Sequence, residues 1–183
     1  MKRSLVIIDI QNDYFDGGAQ PLVGSNDAAR KAARVLSGFR ARGESIVHVQ
    51  HVWDEPGAPF MRPGTVGVEI HESVKPLPGE PVVTKATPNA MLVKELLDEL
   101  RRSESEQLVV MGMMTSMCVD STVRAAADLG YQVDLVHDAC AAPDLTLDDQ
   151  VIPGALVHAA FIAALGDGFA TLCSSDQFTA DET

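Results

Sequence analysis

Short apolar runs alternate with helical patterns along this chain, and this alternation limits the fold more than any other feature. The first run, residues 5–8, is mostly β-branched and has no polar position, which is typical of a strand buried on both faces. Further runs follow at residues 46–49, 82–83, 108–111, 133–136 and 170–173. Helical patterns separate them at residues 27–42, 88–100, 118–129 and 148–165. Such alternation predicts right-handed crossovers and a parallel sheet between two layers of helices.

We therefore predict an α/β fold with three layers, α/β/α, around a six-stranded, mostly parallel, Rossmann-like sheet. The length of 183 residues fits a single domain, residues 1–183. Its acidic end, residues 174–183, is expected to fray or to reach a neighbouring subunit. Residues 52–81 form one long irregular stretch rich in proline and glycine, and a loop of that length in a compact domain is usually functional.

The charge balance and the cysteine count exclude several classes of protein. Fourteen Lys and Arg residues against twenty-six Asp and Glu residues give a net charge of −12, which provides no attraction to nucleic acids or anionic membranes. No apolar run approaches the roughly 20 residues of a membrane span, and the first residues lack a signal-peptide pattern. Cys118, Cys140 and Cys173 are too few and too widely spaced for a disulfide framework. We expect a cytoplasmic protein that binds a small molecule.

Three reactive residue types lie at or just after the carboxyl ends of predicted strands, where open parallel sheets bind their ligands. Asp9 follows the first strand, Lys85 follows the third, and Cys118 begins the helix after the fourth. We expect the helix start and the Lys85 ammonium to lower the pKa of the Cys118 thiol, while Asp9 accepts its proton. Singly, these residues are commonly a turn aspartate, a solvated lysine and a buried thiol. Only their combination favours a nucleophilic cysteine.

Three segments carry a more specific signal. They read Val-Ile-Ile-Asp-Ile-Gln-Asn-Asp-Tyr-Phe at residues 6–15, Lys-Ala-Thr-Pro-Asn-Ala at residues 85–90 and Gly-Met-Met-Thr-Ser-Met-Cys-Val-Asp-Ser-Thr at residues 112–122. From about residue 4 to about residue 173 the chain resembles the isochorismatase-like cysteine hydrolase family. It looks closest to the nicotinamidase-related branch, which includes cyclic-amide hydrolases. One departure is Met91, which stands where an aromatic residue often follows the Pro-Asn step and which alters a pocket wall at most.

The resemblance implies an isochorismatase-like hydrolase fold and a catalytic triad of Asp9, Lys85 and Cys118. It also implies a cis peptide bond between Met113 and Met114, with the backbone N–H groups of Met114 and Cys118 forming an oxyanion hole. A homodimer or homotetramer is a further expectation from the family.

Two histidines near the end of the second strand bear on whether a metal is present. Nicotinamidases carry an Asp-x-His metal motif there, but neither His48 nor His51 has a carboxylate two residues before it. Their spacing of three places them on opposite faces of a strand. We therefore predict hydrogen-bonded strand-end histidines, no metal and no cofactor.

Aromatic and methionine residues near the strand ends are the candidates for substrate binding. We predict Phe15, Trp53, Phe60 and Met117, with Tyr14 as a further candidate, although isolated aromatic residues more often belong to the core.

The predicted function is that of a metal-independent cysteine hydrolase that cleaves a C–N bond of a small amide or cyclic amide through a thioester. Two alternatives remain open. One is an isochorismatase-type vinyl-ether hydrolase, which would use Asp9 and Lys85 without the thiol. The other is a non-catalytic small-molecule binding or redox-sensing protein.

Overall fold

Eight strands and four helices make up the computed structural model, which describes residues 1–179. The strands are β1 (Arg3–Ile8), β2 (Ser45–His51), β3 (Val82–Lys85), β4 (Gln107–Met113), β5 (Gln132–Ala141), β6 (Leu145–Leu147), β7 (Gln150–Ile152) and β8 (Thr171–Cys173). The helices are α1 (Ser25–Arg42), α2 (Lys94–Arg102), α3 (Asp120–Asp128) and α4 (Gly154–Gly166). None of these helices is long and apolar enough to cross a membrane.

The central sheet has six strands in the order β3-β2-β1-β4-β5-β8, and all its neighbouring pairs are parallel. This confirms the predicted three-layer α/β fold. The chain runs outward to β3 on one side of β1 and to β8 on the other. The switch point between β1 and β4 therefore opens a crevice at the carboxyl ends of the strands.

The side chains of β1 alternate between two apolar cores, one on each face of the sheet. Leu5 and Ile7 pack with α1, whereas Val6 and Ile8 pack with residues of α2, α3 and α4. The helix α1 contributes buried side chains at helical spacing and ends at Arg42, followed by Gly43, whose φ of 64° suits a glycine cap. Burial on both faces explains the continuous apolar run in the sequence.

Gly112 is required where β1 and β4 approach each other beside the crevice. Its φ is +140°, and a Cβ atom there would lie 2.0 Å from the carbonyl oxygen of Ile8. Any side chain would therefore push the two central strands apart at the point where the reactive residues gather.

Two helices begin later than the sequence pattern predicts. The helix α2 starts at Lys94 because the side chain of Asn89 accepts a hydrogen bond from Met91 N–H and closes a separate 3-10 turn, Ala90–Leu92. The helix α4 starts at Gly154, because the antiparallel hairpin of β6 and β7 occupies the preceding segment. The apolar residues of that hairpin mimic a helical pattern.

The segment before the C-terminus packs against its own chain, contrary to the expectation of a frayed tail. Residues 174–179 contain a 3-10 turn, Ser175–Gln177, in which Ser175 N–H donates to Asp138. Phe178 is buried beside Phe39 of α1. The rest of the predicted tail, residues 180–183, lies outside the described residues.

Candidate active site

Asp9, Lys85 and Cys118 meet at the switch point of the sheet although they are far apart in sequence. Lys85 Nζ lies 2.7 Å from Asp9 Oδ2 and 3.3 Å from Cys118 Sγ. All three residues are buried, and the side chains of the ion pair are 0% exposed. An ammonium group thus lies within hydrogen-bonding distance of a carboxylate and a thiol in a site from which water is largely excluded.

The local backbone explains how these side chains come to face one another. Asp9 follows β1 with a φ of 49°, a left-handed conformation that costs an aspartate about 1–3 kcal/mol and that turns the chain sharply. Lys85 is the last residue of β3. Cys118 lies in a single π-helical turn, Thr115–Val119, which joins β4 to α3. The peptide bond between Met113 and Met114 is cis.

Burial changes the expected protonation of the cysteine. It raises the pKa of Cys118, and the nearby Asp9 charge raises it further, while Lys85 offsets only part of the effect. Burial also raises the pKa of Asp9, against the lowering effect of Lys85. The prediction that the Cys118 pKa is lowered is therefore wrong, because one ammonium in a dry site cannot compensate both a thiolate and a carboxylate. Burial thus favours the neutral thiol form of Cys118 beside the Asp9–Lys85 pair.

The other two cysteines have no reactive neighbours of this kind. Burial raises the pKa of Cys140 to about 12, and it also raises the pKa of Cys173. Neither residue lines the cavity described below. Both are buried free thiols outside the candidate site.

His51 also belongs to this site, although its sequence pattern does not indicate this role. His51 Nδ1 lies 2.9 Å from Lys85 Nζ, and burial together with the Lys85 charge lowers the pKa of His51 to about 4. The side chain of Gln11 donates to His51 O at 2.9 Å and accepts from His51 N–H at 2.8 Å. His48 faces elsewhere and bonds to Glu80 at 3.0 Å, so the two histidines serve different faces of the sheet as their spacing predicts.

The donor atoms of Asp9, His51 and Cys118 all lie within 4.8 Å of one another, a spacing that a metal ion could bridge. However, the ammonium of Lys85 already contacts all three groups, at 2.7, 2.9 and 3.3 Å. A divalent cation within bonding distance of the same atoms, about 2.0–2.3 Å, would be forced against that ammonium. These residues therefore do not fit a metal ion while Lys85 is charged.

A cavity of about 210 Å³ opens above Cys118. Trp53, Phe60 and Met117 line it as predicted from the sequence, and so does Tyr14. Phe15 does not line it, because its ring stacks on His71 with centroids 3.8 Å apart inside the core. Tyr14 and Phe15 both belong to one buried cluster, but only Tyr14 reaches the cavity, which spacing alone could not reveal.

Further cavity residues were not predicted. They are His51, Glu55, Ala86 and Pro88. Ala86 and Pro88 belong to the Lys-Ala-Thr-Pro motif, so their place beside the predicted lysine was an available signal. Glu55 lies in the long loop, where no regular pattern marks it, and it accepts a hydrogen bond from Trp53 Nε1 at 3.2 Å.

Two buried polar side chains attach the long loop to the crevice. Asp13 accepts hydrogen bonds from Met61 N–H at 2.6 Å and from Ala19 N–H at 3.1 Å. A Cβ atom on Gly67 would lie 2.1 Å from the Asp13 carboxylate, so the loop needs glycine at that position. Gln11 donates a second hydrogen bond, to Val68 O at 2.7 Å. The loop that supplies Trp53 and Phe60 is thereby held over the cysteine.

Comparisons with known proteins agree with this fold. The isochorismatase domain model matches residues 3–177. The isochorismatase family protein YddQ of Bacillus subtilis is 44% identical over 97% of this chain and 99% of its own length. A solved structure of an isochorismatase hydrolase from Oleispira antarctica has a TM-score of 0.92 and 42% identity, covering 96% of this chain and 95% of that one.

Relatives with named activities are more distant. Streptothricin hydrolase of Streptomyces noursei is 33% identical over 90% of this chain and 66% of its own length. The nicotinamidase of Escherichia coli is 25% identical over 75% of this chain and 82% of its own, and a ureidoacrylate amidohydrolase of Variovorax paradoxus is 27% identical over 74% of this chain and 67% of its own. All three names denote hydrolases.

Proposed function

Because this chain belongs to the isochorismatase family of hydrolases, we propose that it is a metal-independent cysteine hydrolase that cleaves a C–N bond of a small amide or cyclic amide. The observation that carries this proposal is the buried cluster in which Lys85 Nζ contacts both Asp9 and Cys118 beneath a small cavity. The named amide-cleaving relatives support the choice of bond.

The first half of the reaction forms a thioester. Cys118 Sγ attacks the amide carbonyl while its proton passes to Asp9, whose raised pKa makes it a stronger base than an ordinary aspartate. Lys85 stabilises the sulfur as charge develops on it. Proton transfer and attack are coupled, because a free thiolate beside the Asp9 carboxylate is unfavourable. Asp9 then gives the proton to the departing nitrogen.

The second half returns the enzyme to its resting form. Water attacks the thioester with Asp9 as its base, the carboxylic acid leaves, and Cys118 recovers its proton. We assign the oxyanion hole to the backbone N–H groups of Met114 and Cys118. In support of this assignment, the N–H groups of Met117 and Val119 are already bonded to Met114 O at 3.1 and 3.2 Å.

The cavity favours a small substrate without a carboxylate group. Its volume of about 210 Å³ is below the 300–1,000 Å³ typical of drug-sized ligands. Among the described residues, Glu55 is the acidic one at its wall, and no arginine lines it. Since Lys85 is already paired with Asp9, a substrate carboxylate would meet like charge there without a free cation to balance it.

The vinyl-ether alternative is supported by the same Asp9 and Lys85 geometry, since that reaction needs a proton donor and no thiol. The redox-sensing alternative is disfavoured by the structure. Sensor cysteines are accessible and have low pKa values, whereas Cys118 is 2% exposed and its pKa is raised by burial.

The deciding experiment incubates the purified protein with a panel of linear amides, cyclic amides and vinyl ethers, and follows the addition of water by mass spectrometry. We expect wild type to hydrolyse one of the amide classes and Cys118→Ser to lose that activity while remaining folded. Cys140→Ser, a matched buried cysteine outside the cavity, should retain it. Asp9→Asn should lose about 10²–10⁴-fold in rate. Vinyl-ether hydrolysis that survives Cys118→Ser would replace this proposal with the alternative.

We also propose that the protein forms a homo-oligomer. Support comes from apolar side chains exposed on the β6–β7 hairpin and on α4. Leu147 is 65% exposed, Val151 64% and Leu156 61%. A second copy of this chain would cover part of this exposed apolar surface.

A further inference from the structure

The ammonium of Lys85 hydrogen-bonds to His51 and Cys118 and forms an ion pair with Asp9. An ammonium group donates three hydrogen bonds and accepts none. Its contacts are Asp9 Oδ2 at 2.7 Å, His51 Nδ1 at 2.9 Å and Cys118 Sγ at 3.3 Å. Removing the histidine would leave one proton of a buried cation without its acceptor, and the ammonium could then turn away from the sulfur.

The contact with Lys85 also determines the protonation state of His51. Because the ammonium has no lone pair, Nδ1 must be the acceptor, and a neutral imidazole then carries its proton on Nε2. His51 lines the cavity, and its Nε2 makes no hydrogen bond with a described protein atom. Among the described residues, Nε2 is also not one of the polar atoms that are fully enclosed and lack a hydrogen-bond partner. It therefore opens on the cavity as a free donor.

The backbone of His51 is held at both ends, so the orientation of the ring is set by the fold. Gln11, which is itself 0% exposed, bonds to the N–H and to the C=O of His51. These two hydrogen bonds fix the end of the strand from which the imidazole projects. A side chain supported in this way is placed more accurately for chemistry.

We propose that His51 positions Lys85 through Nδ1 and binds the substrate through Nε2–H, which donates a hydrogen bond to an acceptor such as a carbonyl oxygen. The proposal deepens the proposed function, since it adds a substrate-binding donor and a positioning residue to the same site. It also narrows the substrate class to amides that have a hydrogen-bond acceptor within reach of His51 Nε2 when the reacting carbonyl lies at Cys118.

The test uses two substitutions of His51 to distinguish the roles of its two ring nitrogen atoms. Asparagine places an acceptor close to the position of Nδ1 but has nothing at the position of Nε2, and leucine has neither. We therefore compare wild type, His51→Asn and His51→Leu. His71→Asn is the matched control, because His71 stacks on Phe15 outside the cavity. Circular dichroism and thermal unfolding establish that each variant is folded.

Two alkylating probes report on the two roles without requiring the natural substrate. Methyl iodide has no group that can accept a hydrogen bond from Nε2–H. Iodoacetamide has an amide carbonyl that can accept one. The rate of Cys118 alkylation is measured by peptide mass spectrometry, which distinguishes it from Cys140 and Cys173. In His51→Leu, we expect the methyl iodide rate to fall about tenfold or more, as for loss of a hydrogen bond to a charged group. His51→Asn should retain most of it.

The ratio of the iodoacetamide rate to the methyl iodide rate tests the donor. We expect this ratio to fall several-fold in His51→Asn and to stay unchanged in His71→Asn. Equal methyl iodide rates in His51→Asn and His51→Leu would overturn the positioning role. An unchanged ratio in His51→Asn would overturn the donor role. If the alkylation pattern holds while wild type hydrolyses no amide, the inference stands and the proposed function fails.

Discussion

Replacing Lys85 by methionine tests how this protein tolerates a carboxylate in its interior. The side chains of Lys85 and Asp9 are 0% exposed and 2.7 Å apart. Methionine fills a similar volume but leaves the Asp9 charge buried without its partner. Breaking a buried ion pair in this way typically costs about 3–5 kcal/mol in the free energy of unfolding. We expect Lys85→Met to lose an amount in that range near pH 8.

The loss should depend on pH in a defined direction. Burial already raises the pKa of Asp9 and Lys85 opposes this, so removing Lys85 raises that pKa further. When the pKa of a carboxyl group is raised in the folded state, the free energy of unfolding falls as the pH rises from the pKa of the unfolded state, about 3.9, through the pKa of the folded state. Lys85→Met should therefore lie closer to wild type at about pH 5 than at about pH 8.

Urea unfolding at the two pH values measures the effect, with two further variants. Adding Asp9→Asn to Lys85→Met replaces the buried anion by a neutral amide and should restore most of the stability lost at the higher pH. The control, Lys94→Met, alters a side chain that is 80% exposed and should stay within about 0.5 kcal/mol of wild type. A loss in Lys85→Met that is the same at both pH values and is not relieved by Asp9→Asn would refute this reasoning.

Three further outcomes are expected. Hydrolysis should survive dialysis against EDTA, because Lys85 occupies the centre of the donor cluster; loss of turnover restored by one added metal would contradict this. Gly112→Ala should lower the urea midpoint markedly, since its Cβ would lie 2.0 Å from Ile8 O, and a midpoint equal to that of wild type would show that the strands can separate freely. Leu156→Glu should shift the protein to a smaller species in analytical ultracentrifugation if the exposed face of α4 around Leu156 is a subunit interface, and an unchanged sedimentation coefficient would exclude that face.

Local and periodic features of this protein could be predicted from its sequence. The apolar run of β1 is continuous because the strand is buried on both faces, so its period and its place at the sheet centre are visible in the residues themselves. Asp9 and Lys85 were identified because parallel strands bring their carboxyl ends to one edge of the sheet. Residues at the ends of such strands are therefore expected to lie close together in the fold. Helix starts were less predictable, since the β6–β7 hairpin carries apolar residues at helix-like spacing.

Properties that depend on contacts between distant segments were decided by the tertiary structure. The residue pattern predicts a lowered pKa at Cys118, but burial and the charge of Asp9 together raise it. Neither burial nor distance can be read from residue order. Likewise, His51 is one of two similar histidines in the sequence. Only folding brings its ring within 2.9 Å of Lys85, because that contact joins the ends of two neighbouring strands whose register is set by the whole sheet.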